Sequence, residues 1–250
     1  MHITAIALQK GGTGKSTTAH ALGQGLQARG YRVLFIDLDP QGNLSYTMRA
    51  DQGRPSAYEV ITNRAKAREA LQHTGQGDII PSGPQLSGAD IEVTQTGKEF
   101  RIREALQPLQ AQYDFCIIDT PPALGTLTIN ALTAATGVII PVQAETYSIQ
   151  GIAQLYSTIE TVKAYCNDRL KVEGILITRH SSRAILNRDM ADTITETAQK
   201  LGTQVFRAMV REGVAVREAQ AMREPLHTYA PTSNPARDYA DFIDEYLQNQ

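Results

Sequence analysis

Residues 10–17 read Lys10-Gly11-Gly12-Thr13-Gly14-Lys15-Ser16-Thr17, between a short apolar run, Ile3 to Leu8, and a segment of helical period, Lys15 to Arg29. No other stretch limits the possible folds so tightly. A chain that leaves a strand, curls through closely spaced glycines and enters a helix aims backbone N–H groups and the positive helix end into one concavity. Such a concavity suits a phosphate. Lys15 can then reach the β- and γ-phosphates, and Ser16 can ligate magnesium.

Beyond the loop, short apolar runs alternate with longer helix-period segments, the pattern of a mostly parallel sheet flanked by helices on both faces. The expected strands are Ile3 to Leu8, Arg32 to Asp37, Asp78 to Pro81, Phe115 to Asp119, Gly137 to Val142, Val172 to Thr178 and a short one near Gln204 to Phe206. The expected helices include Lys15 to Arg29, Ile102 to Gln110, Ile149 to Tyr165, Ala184 to Lys200 and about Pro235 to Leu247, with Gly30 as a C-terminal cap. Asp51 to Gly97 is rich in Gln, Gly and Ser; it reads as helical connections around a short strand or as a mobile insertion. A chain of 250 residues, 42% of them hydrophobic, makes one α/β domain over 1–250 that needs no disulfide staples. Cys116 and Cys166 lack CxxC spacing and read as reduced thiols of a cytoplasmic protein. No run approaches the roughly 18 apolar residues of a membrane span, and a formal net charge of -2 leaves nucleic-acid binding to a local basic patch.

Two carboxylates, Asp37 and Asp39, leave the second strand two residues apart and point the same way. Ligands of an open parallel sheet bind beyond the carboxyl ends of its strands, so both can face a γ-phosphate held by the loop. The run Cys116-Ile117-Ile118-Asp119 repeats this logic. A bound cation there would favour the charged form of such groups. His2, His20, His73, His180 and His227 fall in no spacing with Ser or Cys that suggests a triad, so nothing points to covalent chemistry. The reaction expected at such a loop is transfer of a γ-phosphoryl group to water, slow because no catalytic base beyond Asp39 is evident. One departure stands out: the usual loop pattern asks for Gly where this chain has Gln9, and Lys10 is added at the loop mouth. A second lysine there is badly placed for its own nucleotide and well placed to reach across to another, which suggests a dimer around ATP.

With its KGGTGKST loop the chain resembles the deviant Walker-A ATPases, the ParA and MinD group. The resemblance implies an α/β fold of P-loop NTPase type, with ATP and magnesium as cofactors. It implies that Lys10 enters the partner's site in a nucleotide sandwich dimer, that Gly11, Gly12, Thr13, Gly14, Lys15, Ser16 and Thr17 bind the nucleotide, and that Asp39 places the attacking water. It further implies that Asp37 and Ser16 support the metal, while Asp119 resembles the Walker-B Asp. Pro141 to Gly151, Leu176 to Arg183, Val210 to Ala219 and Tyr229 to Ser233 resemble later ParA segments in order and spacing. Thr178 and Arg211 fall near the base site that these segments imply. The chain begins at its first strand and so resembles the short ParA type, without an upstream helix-turn-helix region.

What an ATP-bound dimer touches is then the question. A MinD-like anchor needs basic residues beside an apolar helix face, whereas Asp238, Asp241, Asp244 and Glu245 make the last helix acidic, so no membrane partner is expected. Arg183, Arg188, Arg211, Arg217 and Arg223 lie in segments that match the family's DNA-contacting surface. The resemblance therefore implies a cytoplasmic, nucleoid-associated partition ATPase whose dimer binds nonspecific double-stranded DNA and is released by a ParB-type centromere-binding protein. Two alternatives keep the ATPase and change the cargo: positioning of a protein cluster, or MinD-like regulation at a membrane. A third, an ATP-dependent small-molecule enzyme such as a dethiobiotin synthetase relative, would need a substrate pocket.

Overall fold

The computed structural model describes residues 1–51, 55–181 and 185–250. Seven strands form one sheet: β1 (His2–Ile6), β2 (Val33–Asp37), β3 (Gln72–Thr74), β4 (Gly77–Ile80), β5 (Phe115–Asp119), β6 (Gly137–Gln143) and β7 (Lys171–Thr178). Their order is β3-β4-β2-β5-β1-β6-β7. All neighbours are parallel except the β3–β4 hairpin. Helix α1 (Lys15–Ala28) follows β1; α2 (Asn43–Thr47), α3 (Ala57–Ile61) and α4 (Ala67–Ala70) follow β2. Helices α5 (Ala89–Glu92) and α6 (Arg101–Leu106) precede β5, and α7 (Thr126–Ala134) and α8 (Ser148–Tyr165) flank β6. After β7 come α9 (Ile185–Lys200), α10 (Val214–Met222), α11 (Leu226–Tyr229) and α12 (Asn234–Gln248). The chain is thus an α/β fold with a largely parallel sheet between helices.

Successive strand residues point to opposite faces, and the core divides accordingly. Leu34, Ile36, Cys116 and Ile118 pack with Leu127 of α7, Ile152 and Leu155 of α8 and Ile194 of α9. Val33, Phe35, Phe115 and Ile117 pack with Leu22 and Leu26 of α1 and with Tyr239, Phe242 and Tyr246 of α12. Both faces being covered explains why the central strands β2, β5 and β6 are apolar up to their polar ends. Helix α1 rides close on the sheet because Gly23 has no side chain: a Cβ there would stand 2.1 Å from the Phe35 ring. Its end is closed by Gly30, at φ 88°, whose N–H donates to the Gln27 carbonyl at 2.9 Å.

One expectation changes, and in 51–97 the reading as helical connections around a short strand holds, with one added edge strand. Gln204 to Phe206 is no regular strand; it touches β7 through the single bridge Ile175–Val205. The ladder fails because the next N–H groups, of Arg207 and Ala208, donate to the Glu245 carboxylate at 2.9 and 3.1 Å. The region 51–97, where described, holds the β3–β4 hairpin among short helices, so β4 joins the sheet beside β2. The expected helix start, Ala184, lies outside the described residues.

Candidate phosphate-binding site

Strand β1 ends at Ile6, shortly before the loop, and the loop enters α1 through Gly14. Gly12 and Gly14 take φ of 76° and 86°, a region side chains disfavour. Three carbonyls of the loop are tied back: Gln143 Nε2 donates to Gly12 O at 2.6 Å, Thr178 Oγ1 to Thr13 O at 2.8 Å, and Lys15 Nζ to Lys10 O at 2.8 Å. The N–H groups of the loop are the polar atoms left for an anion. Thr178, expected near the base, instead supports the loop from the end of β7, where it is buried and donates also to Val142 O at 3.1 Å. Gln143 and Ser45, discussed below, were not singled out by sequence reasoning; an amide or hydroxyl bonded to backbone has no spacing signature.

The parallel register sets Asp119 beside Ile6 of β1 on one side and Asp37 of β2 on the other. Asp37 is fully buried; its Oδ1 accepts from Asp39 N at 3.1 Å, and its Oδ2 accepts from Ser45 N and Oγ at 2.8 and 2.7 Å. Asp37 therefore anchors α2. Even with these bonds, burial pushes its carboxyl up to about 6. Asp39 lines the cleft and accepts from Gln41 N at 3.0 Å. Asp119 is fully buried, and neither of its oxygens accepts a hydrogen bond of good geometry. Burial and then the Asp37 carboxylate push it well above the usual range, against the nearby Ser16 hydroxyl and Lys15. Burial pulls Lys15 below its ordinary range, while Asp119 and Asp39 act the other way.

Carboxylates crowded around the Lys15 ammonium, an orphaned Asp119 and an unpartnered buried Thr13 hydroxyl fit a phosphate group bound together with a divalent cation. Among the described residues no three His, Cys, Asp or Glu side chains converge as a ready-made cage. That suits magnesium, which keeps waters and takes oxygens from substrate phosphates beside one or two protein groups. The loop opens into a cleft of about 570 Å³, lined by Gly11, Gly12, Gly14, Lys15, Ser16 and Thr17 on one side and by Val216, Gln220 and Glu224 on another. Gln220 Nε2 of α10 donates to Thr17 Oγ1 at 2.8 Å. At the rim, Lys10 Nζ meets Glu145 Oε2 at 2.6 Å.

The expected basic residues meet different fates. Arg188 and Arg217 are exposed, and among the described residues neither forms an ion pair. Arg211 does not line the cleft: its Nε and backbone N both donate to Asp238 Oδ2 at 2.9 Å. Arg223 lies over the Tyr46 ring, 3.7 Å from its centre. Arg183 lies outside the described residues. The acids of α12 are largely occupied, Asp238 by Arg211, Asp244 by Arg29 and Glu245 by Arg207. Its apolar face is buried on the sheet, so that face is not offered to a bilayer. Among the described residues no helix is long and apolar enough to cross a membrane.

Comparison with known proteins agrees with this geometry. The family model described as an AAA domain matches residues 1–172. The chromosome partitioning protein ParA of Myxococcus xanthus is 40% identical over 242 residues, which cover 95% of this chain and 84% of that protein. The sporulation initiation inhibitor protein Soj of Bacillus subtilis is 37% identical over 252 residues, covering 99% and 98%. A Mycobacterium smegmatis structure described as cobyrinic acid a,c-diamide synthase with bound ADP and magnesium is 33% identical with a TM-score of 0.86, covering 99% and 94%.

Proposed function

Because the chain belongs to the ParA/Soj family of P-loop ATPases, we propose that it is a partition ATPase whose ATP-bound dimer holds DNA and lets it go on hydrolysis. Its reaction is hydrolysis of ATP to ADP and phosphate, with magnesium as cofactor. Bound magnesium supplies positive charge against the phosphates and offsets the crowding of Asp37 and Asp119. The loop N–H groups and Lys15 hold the phosphates, Ser16 and Asp119 hold the metal, and Asp39, at the cleft wall, orients water.

The observation that carries the dimer is the division of labour between two lysines. Lys15 bridges the loop from within, whereas the Lys10 ammonium stands at the rim on an exposed Glu145. Such an exposed pair is worth about 1 kcal/mol or less, so a γ-phosphate in a second copy competes for Lys10 easily. Arg188 and Arg217 supply the phosphate-contacting face of the dimer, a sequence-blind mode of binding. A ParB-type protein stimulates turnover, and the cycle runs in the cytoplasm on the nucleoid. Light scattering with ATP tests the dimer: wild type doubles in mass and Lys10→Ala stays monomeric. A Lys10→Ala monomer with full ATPase activity would favour a small-molecule enzyme instead.

A further inference from the structure

Gln76 stands at the turn of the β3–β4 hairpin, outside the phosphate loop and the acidic strand ends. Its Nε2 donates twice, to Thr47 O at the end of α2 at 2.8 Å and to Arg223 O at the end of α10 at 2.9 Å. Two carbonyl partners fix the orientation of the amide, since only the NH₂ end can serve both. Its Oε1 consequently accepts from His20 Nε2 of α1 at 2.8 Å, and its own carbonyl accepts from Gln24 Nε2 at 2.6 Å. One side chain thus joins the ends of two helices that come from distant parts of the sequence. Arg49 Nη2 adds a bond to Met222 O at 3.1 Å, and Arg223 lies over Tyr46.

The two helices differ in what else holds them. Helix α2 begins at the acidic strand end, where Ser45 is bonded to Asp37. Helix α10 has little apolar anchorage, since Ala219 is its one buried residue, and it lines the cleft with Val216 and Gln220. An element with so few buried contacts opens at low free energy, and its position follows its polar ties.

We propose that Gln76 is a positioning residue that ties α10 to α2, so that ATP occupancy felt at Asp37 and Asp39 sets the position of α10. Arg217 is exposed on α10, so the tie would place that arginine under nucleotide control; for what α10 then touches, this rests on the partition reading. Movement of either helix alone breaks one of the two Gln76 bonds. A near-neutral pH keeps His20 uncharged, because burial pulls it down to about 4, so its role as donor to Gln76 does not vary there.

The test is hydrogen exchange of residues 214–222 in the full chain, with and without magnesium-ATP, for wild type and Gln76→Leu, beside nucleotide affinity from a fluorescent ATP analogue. Wild type should show an ATP-dependent change in α10 exchange. Loss of two hydrogen bonds in Gln76→Leu should speed α10 exchange about tenfold without nucleotide and cut its ATP response to the part carried by the direct Gln220–Thr17 bond. Protection of β1 and α8 should stay as in wild type, and the analogue should still bind, with its affinity changed by about the factor by which the α10 response changes, because coupling between two sites is reciprocal. Gln76→Glu keeps the acceptor for His20 and loses both donors, so it should uncouple in the same way and decides the matter if the leucine variant does not fold. An α10 that answers ATP equally well in the Gln76 variants, or one that does not answer ATP in wild type, overturns the proposal. Duplex DNA in a parallel arm separates the two readings: an α10 that responds to ATP in a protein that binds no DNA keeps the tie and removes the partition reading.

Discussion

Asp119→Asn should make the nucleotide-free protein more stable while weakening its response to nucleotide. The carboxylate is fully buried with neither oxygen well bonded, beside Asp37 and near Asp39, with Lys15 as the neighbouring cation. Leaving a buried charged group unsatisfied costs about 1–3 kcal/mol or more. The amide keeps the shape and removes the charge, at the loss of some of the support that Asp119 gives the Lys15 ammonium. Since Asp37 and Asp39 remain near the site, the net gain should be about 1–2 kcal/mol in the absence of nucleotide, a rise in melting temperature of roughly 2–8 °C for a chain of this size. Thermal unfolding in chelator and in magnesium-ADP measures both halves. Wild type should gain strongly on adding magnesium-ADP, by the logarithm of ligand over Kd, and the variant should gain less than half as much. A nucleotide-free variant less stable than wild type by 1 kcal/mol or more would refute the reasoning, because attraction to Lys15 would then outweigh burial.

Other outcomes follow from the same geometry. His20 titrates at about 4 in the folded chain against an ordinary 6.5, so its neutral form stabilises the fold above 6.5 and that stability is lost as pH falls towards 4. Relative to His20→Gln, wild type should lose roughly 3 kcal/mol between pH 7 and pH 4 in urea unfolding. Gly23→Ala should cost about 1–3 kcal/mol, because its Cβ meets the buried Phe35 ring, whereas Gly25→Ala should cost less, because its Cβ meets chiefly the tip of Ile243, which can rotate away; paired denaturation curves decide. Lys15→Ala should remove nucleotide binding as read by calorimetry. Asp39→Ala should still bind ATP and hydrolyse it at least about a hundredfold more slowly, and an Asp39→Ala protein with normal turnover would remove the water-orienting role.

The phosphate loop and the three acidic strand ends were legible because each depends on a few neighbouring residues whose spacing decides their geometry. Helix α7 was not, since Thr126–Ala134 is buried almost all round and shows no polar face to reveal its period. Strand β3 escaped because Gln72–Thr74 is three polar residues at a sheet edge, where pairing rather than pattern makes the strand. The basic residues show another limit. Arg211 and Arg217 look alike in sequence, yet of the two only Arg211 forms an ion pair among the described residues, with Asp238, 27 residues further on. The acids of α12 likewise read as a solvated surface until their arginine partners come into place. Gln76 and Gln220 carry no local signal at all.

Whether ATP makes this protein hold DNA is the central question. Binding to an arbitrary duplex, followed over a salt series with ATP, ADP and no nucleotide, tests that most directly when wild type, Arg217→Ala and Asp39→Ala are compared. ATP-dependent binding that weakens steeply with salt, is reduced in Arg217→Ala and persists longer in Asp39→Ala is the predicted result. Absence of binding in every nucleotide state, or binding indifferent to nucleotide, would contradict it.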